Sequence, residues 1–224
     1  MRKLVSLILS IVLVFTLAIP AFATNSDKVI DNDIEYLTIY DEENKTVQAA
    51  HRIVATGEIV YGPKIYIGSN TYANAGSTRA LGADIHQDTF LNFEYDIWET
   101  NPREWNLERP NGIFNQYYFK VYQNASNESY LRTWKDDVDT LNAEELAAIA
   151  LVGLAGYNIV KAAIESHAAL ASGGLLTAAA IKSIKDAIKS TAAATVAVGV
   201  LCTAYNNCVL SYNDVLNHTD NIHY

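Results

Sequence analysis

Cysteine, catalytic motifs and basic charge are all scarce in this chain of 224 residues. Its two cysteines, Cys202 and Cys208, have no histidine near them in sequence and sit in an apolar stretch. A thiol nucleophile needs an electropositive, accessible setting, so none is expected here. No HExxH, GxSxG or glycine-rich phosphate loop occurs, which leaves metalloprotease, serine-hydrolase and nucleotide chemistry without their usual parts. Lysine and arginine number 16 against 25 acidic residues, a formal net charge of -9. Such a surface repels phosphate backbones and anionic lipids, so nucleic acid is excluded as a partner. Internal repeats and low-complexity tails are absent as well.

The N-terminus carries the clearest targeting signal. Arg2 and Lys3 precede an apolar stretch from Leu4 to Ile19, followed by Pro20 and Ala21-Phe22-Ala23. Small residues at 21 and 23 predict signal-peptide cleavage after Ala23 and a secreted, extracellular chain. No cysteine follows the apolar run, so no lipid anchor is expected. Loss of Arg2 and Lys3 takes the charge from -9 to -11. An acidic leader segment over 24–35 then precedes two regions of different texture.

Residues 36–141 read as β-rich. "YLTIY" at 36–40 runs into the polar turn Asp41-Glu42-Glu43-Asn44, and Gly62-Pro63 punctuates the chain before "KIYIG". In "FLNFEYDIWE" at 90–99, Leu91, Phe93, Tyr95 and Ile97 share one face, with Asn92, Glu94 and Asp96 on the other. "IFNQYYFKVYQ" at 113–123 repeats the pattern after a turn at Asn111-Gly112. A mostly antiparallel sheet of five or six strands is expected.

Residues 142–224 read as helical with a polar tail, which makes the fold class α+β. Asn142 and Glu145 have the spacing of a reciprocal N-terminal cap. The first helix contains "LAAIALVGLAGYNIVKAAI", uncharged from Leu146 until Lys161, and ends at Ser172-Gly173-Gly174. A second helix begins near Leu175 and carries no charge from Ser190 through Asn213. Steps of four along it give Ser183, Ala187, Thr191, Thr195, Gly199, Thr203 and Asn207, a ridge of small side chains that allows close helix packing. Gly153, Ala155 and Gly156 offer the first helix a similar contact. A membrane span needs ~20 apolar residues. The first run is short and the second dilute, so the pair is expected to form a buried helical hairpin that could insert if exposed. Export favours a Cys202–Cys208 disulfide. In one continuous helix these Cα atoms would stand ~9 Å apart, beyond the reach of about 7 Å. A bond therefore requires a break at Asn206-Asn207, and the alternative is two buried thiols in an unbroken helix.

Three polar groups are candidates for chemistry or recognition. "DIHQD" sets Asp84, His86 and Asp88 at alternating positions, a weak cation site whose ordinary reading is a solvated strand edge. Trp98, Arg103, Trp105 and Arg109 fall in a segment read as a loop, which could recognise a sugar or peptide or be pinned to the sheet by its aromatics. His167 reads as an interfacial helix residue, and His218 and His223 as solvated tail residues. No catalytic residue, metal or cofactor is expected.

With its signal peptide, acidic strand-rich half and Gly/Ala-rich helical half, the chain resembles the geobacillin 26-like proteins, large bacteriocins of Gram-positive bacteria. "LAAIALVGLAGYNIVKAAI" and "STAAATVAVGVLCTAYNNC" carry the resemblance, which is one of layout. It implies a secreted protein that kills related bacteria by acting on their envelope or membrane. The acidic charge adds the requirement for a surface receptor. The competing expectation is a non-catalytic extracellular binding module that uses the 98–109 segment.

Overall fold

The computed structural model describes residues 29–31, 33–67, 82–111, 115–188, 191–220 and 222–223. The signal peptide expected over 1–23 lies outside them. The fold is α+β, with strands first and helices after. Strands β1 (Val29–Asp31), β2 (Ile34–Asp41), β3 (Thr46–Ile53) and β4 (Ile59–Tyr66) form one antiparallel sheet in that order. The segment expected as an acidic leader over 24–35 thus supplies β1 and opens β2, with Val29 paired to Tyr36. A second sheet contains β5 (Ile85–Asp88), β6 (Glu94–Trp98), β7 (Glu104–Asn111), β8 (Asn115–Tyr122) and β9 (Ile222–His223). The expected single sheet is therefore two. The C-terminal tail is not free either, since His223 pairs with Lys120 across β8 and β9.

Helix α1 (Glu128–Leu170) begins well before the expected boundary at 141. Leu131, Trp134, Val138 and Leu141 recur at helical spacing and are fully buried, which supplies the face that holds this first stretch. Charged neighbours such as Lys135 and Asp136 occupy the other side and mask the pattern in the sequence. Asn142 consequently lies inside the helix and caps nothing. A short 3-10 turn (Ser172–Gly174) leads to α2 (Ala178–Ala187) and α3 (Ala192–Asn217). The expected second helix is thus two, because the chain leaves helical geometry at Ile188 and Thr191 caps a new start by accepting from the Ala194 N–H.

One aromatic core joins the five-stranded sheet to the helices. Phe93 meets Trp134 at 5.9 Å and Tyr205 at 5.4 Å, while Phe119 and Trp134 both contact Tyr212. The four-stranded sheet packs on the last part of α1, and one of the contacts is at an irregular point of the sheet. The β3–β4 register shifts between Gln48 and Ala50, opposite Gly62 and Pro63. Ser166 Oγ accepts from the Ala49 N–H at 2.8 Å and donates to the Pro63 carbonyl at 2.8 Å, supplying partners that the bulge withholds. Gly62 is not punctuation: a Cβ there would stand 2.7 Å from the Ser166 carbonyl oxygen. Gly62→Ala should therefore destabilise the chain by about 1–3 kcal/mol in urea unfolding, because helix backbone cannot yield.

Candidate functional site

The two apolar helices, α1 and α3, are each long and apolar enough to cross a membrane, yet only 56% and 50% of their apolar windows are buried. Leu146, Leu151 and Leu154 on α1, and Val196, Val200 and Leu210 on α3, are exposed. α1 is also broken within the apolar run: Gly153 has φ 72 and ψ 165, a conformation open to glycine and strained for other residues. The close contact expected of Gly153 and Ala155 is absent, since both are exposed, while Gly156 is buried.

A polar clamp spans this break. Glu145, before it, is fully buried and accepts from the Phe90 N–H and the Leu91 N–H, each at 2.7 Å. Tyr157, after it, donates its hydroxyl to the same carboxylate at 2.9 Å. Lys161 donates to the Phe90 carbonyl and lies 3.6 Å from Glu165. The β5–β6 turn is thereby grasped by both arms of α1. Burial pushes the Glu145 carboxyl up to about 7, against the opposing pull of its N–H donors, Tyr157 and Lys161. Lys161, which could have reached for a membrane surface, is 4% exposed and turned inward.

The small-residue ridge does not form one face. Ser183 and Ala187 are buried on α2, Thr191 is the cap of α3, and Thr203 and Asn207 are exposed. Thr195 and Thr203 bond back to the carbonyls of Thr191 and Gly199 in their own helix. A Cβ on Gly199 would meet only the Lys185 side chain, at 3.5 Å, so this glycine is not a close helix contact. The break between α2 and α3 divides the ridge. The disulfide expectation is likewise corrected. α3 runs unbroken through Asn206 and Asn207, and Cys202 and Cys208 are free and buried. A continuous helix holds the two Cα atoms too far apart to bond. Asn206 is used differently, accepting from the Leu176 N–H and donating to the Leu176 carbonyl, both at 2.8 Å.

The segment with Trp98, Arg103, Trp105 and Arg109 is not a long loop but two paired strands, β6 and β7, with Ile97 opposite Trp105. Trp105 is 2% exposed and donates to Gln123, so it anchors the sheet and cannot stack on a ligand. Arg103 pairs with Glu99 at the turn, and Trp98 lies beneath Lys120. Arg109 faces the helices. Its guanidinium sits between the rings of Tyr117 and Tyr212, at 5.2 and 5.1 Å, and its buried Nε has no partner. It lines a cavity of about 250 Å³ with Tyr117, Glu165, Gly173 and Tyr205. Asp84, His86 and Asp88 separate: Asp84 accepts from the Glu99 N–H, and His86 turns to the carboxylates of β6.

His167 is interfacial, as its helical position predicts, and lies in a buried cluster. Its Nε2 is 2.9 Å from Thr38 Oγ1, which is 2.9 Å from Ser183 Oγ, and its ring stacks at 5.7 Å on His51. Burial, then the charge of His51, holds His167 down to about 3. His218 stacks on Tyr130 at 4.1 Å.

Comparison with protein-family models, curated proteins and solved structures returns no match for this chain.

Glu145→Ala would leave two backbone N–H groups and the Tyr157 hydroxyl without their acceptor. It should cost about 3 kcal/mol or more in denaturant unfolding. A second prediction concerns acid. The unfolded His167 takes up a proton below about pH 6.5, whereas the folded one resists until about 3. Its contribution to stability is therefore complete above pH 6.5 and falls as pH drops toward 3. Glu145 acts oppositely, binding a proton more readily when folded, so its contribution is lost as pH rises through about 7. Unfolding of wild type and His167→Gln at about pH 7 and about pH 4.5 should show an acid loss smaller in the variant by on the order of 2 kcal/mol.

Proposed function

We propose that this is a secreted antimicrobial protein of the bacteriocin kind, acting on the envelope or membrane of competing bacteria through α1 and α3. The observation that carries the reading is the pair of apolar helices left half outside the core, with Leu146, Leu151, Leu154, Val196 and Val200 already in solvent. An exposed apolar helix face in a chain of net charge -9 favours a partner that is itself apolar. The acidic surface disfavours direct adsorption to anionic lipid, so a receptor on the target surface delivers the protein. The Glu145 clamp restrains the apolar run of α1 in the free molecule. Its release would let both arms of α1 leave the β5–β6 turn together. The resemblance to the geobacillin 26-like bacteriocins supports the same reading, and no residue is assigned a catalytic role.

A second reading, a non-catalytic extracellular binding module, draws support from the cavity at Arg109. A guanidinium held between two tyrosine rings with an unpartnered Nε suits a small acidic group. In that reading Arg109 is the recognition residue and Trp98, Arg103 and Trp105 are structural.

Purified mature protein on sensitive Gram-positive cells should depolarise the membrane and release dye. Leu151→Lys and Val200→Lys alter exposed positions and should leave stability within about 0.5 kcal/mol. Each places a lysine where insertion would bury it, at about 2.5–3.5 kcal/mol near the bilayer centre, so killing should fall at least tenfold. Undiminished killing by both folded variants would overturn the helical mechanism. Loss of killing in Arg109→Gln alone would favour the cavity.

A further inference from the structure

The face of the five-stranded sheet that carries His86 holds a separate polar cluster, independent of the helices. Register sets His86 of β5 opposite Asp96 of β6, and Asp96 opposite Asn106 of β7. Glu94, two residues before Asp96 on the same strand, therefore shares their face and lies opposite Glu108. His86 Nδ1 is 2.9 Å from Asp96 Oδ1 and 3.7 Å from Glu94 Oε1. One ligand atom from each of the three residues lies within 4.8 Å of the others. Glu94 and Asp96 are only 4% and 1% exposed, so their carboxylates are largely removed from water. The His86 side chain keeps 18% of its exposure, which leaves a path in from solvent.

An orphaned oxygen in the same cluster points to what is bound there. Asn106 is 8% exposed and donates its Nδ2 to Glu108 Oε1 at 3.2 Å, while its Oδ1 has no hydrogen-bond partner. A buried amide oxygen is ordinarily paired. Turning the amide over gives no relief, because its oxygen would then face the Glu108 carboxylate. A carboxylate and an amide oxygen are acceptors, and His86 Nδ1, which donates to Asp96 Oδ1 in the metal-free chain, becomes a ligand when a metal displaces its proton. A cation held among these groups would supply the Asn106 oxygen with the partner it lacks.

We propose that His86 Nδ1, Glu94, Asp96 and the Asn106 side-chain oxygen form a binding site for a divalent transition-metal ion. One imidazole nitrogen with carboxylate and amide oxygens, and no thiolate, is the donor set of Zn²⁺ or Mn²⁺ rather than Ca²⁺. The ion would join β5, β6 and β7 on the side away from the aromatic core. Neither Asp84 nor Asp88 is a ligand: Asp84 is used at Glu99, and the carboxylates come from the neighbouring strand.

The test uses the full mature chain after metal removal, titrated calorimetrically with ZnCl₂, MnCl₂ and CaCl₂. Binding of one Zn²⁺ or Mn²⁺ per chain, with a rise in Tm, is expected. His86→Ala and Asp96→Asn should weaken that binding by roughly 100-fold, and His223→Ala should leave it unchanged. Asn106→Asp provides a readout that a plain His–Asp pair would not move. It buries a further charge, so its Tm should fall in chelator and recover when Zn²⁺ is added. This also covers the case in which His86→Ala or Asp96→Asn fails to fold. The proposal is overturned if wild type takes up no stoichiometric Zn²⁺ or Mn²⁺, or if uptake persists in folded His86→Ala. Loss of uptake only with His223→Ala, or no Zn²⁺ rescue of Asn106→Asp, would overturn it equally.

Discussion

The carboxylate of Glu145 is the contact on which the arrangement of this protein depends. It is buried before the break in α1, and its acceptor sites are filled by two backbone N–H groups of the β5–β6 turn and by a tyrosine beyond the break. Gly153 lets the helix turn, and the carboxylate sets where its two arms go. The first arm thus stays on the aromatic face of the five-stranded sheet, and the second reaches the four-stranded sheet. There Ser166 and His167 repeat the device on a smaller scale, each lending a polar atom to a neighbouring strand. A buried polar group is costly when unpaired and directional when paired, so a few such groups select one arrangement among many that would bury similar apolar area.

This division of labour bears on the proposed action at membranes. Around Trp134, Phe93 and Tyr212 the packing is dense and aromatic, as in an ordinary soluble core. Further along the same helix much of 146–155 faces water, while 156–167 is buried again and polar groups help to hold it in place. A polar clamp resists displacement by virtue of geometry and protonation, whereas an apolar core resists by virtue of area. In the proposed action at membranes, the exposed stretch over 146–155 is the part of α1 that would change partners first.

Strands were legible in the sequence where one face was apolar, as at Tyr95 and Ile97, but the strand read over 90–99 begins only at Glu94, because Phe90, Leu91 and Asn92 form the β5–β6 turn. The helical half and its apolar runs were legible too, because composition and periodicity are local properties. The first arm of α1 was hidden, since its buried residues are spaced among charges, and Glu145 passed for a capping partner. Capping geometry is local, but the true partners of Glu145 lie more than fifty residues away in the chain. The candidate site was legible only in part. His86 was visible as a possible ligand, while Glu94 and Asp96 looked like the solvated side of a strand.

What the sequence determined by itself was the α+β class, the acidic charge and the presence of two unusually apolar helical stretches. All three depend on composition and short-range order. Tertiary structure decided the rest. It split the strands into two sheets, broke the small-residue ridge at Ile188, kept Cys202 and Cys208 apart on one helix, and buried Trp105. It also brought His86 to Asp96 and Asn106. The reason is that register and burial are set by which faces meet, and faces meet only when the whole chain has closed on itself.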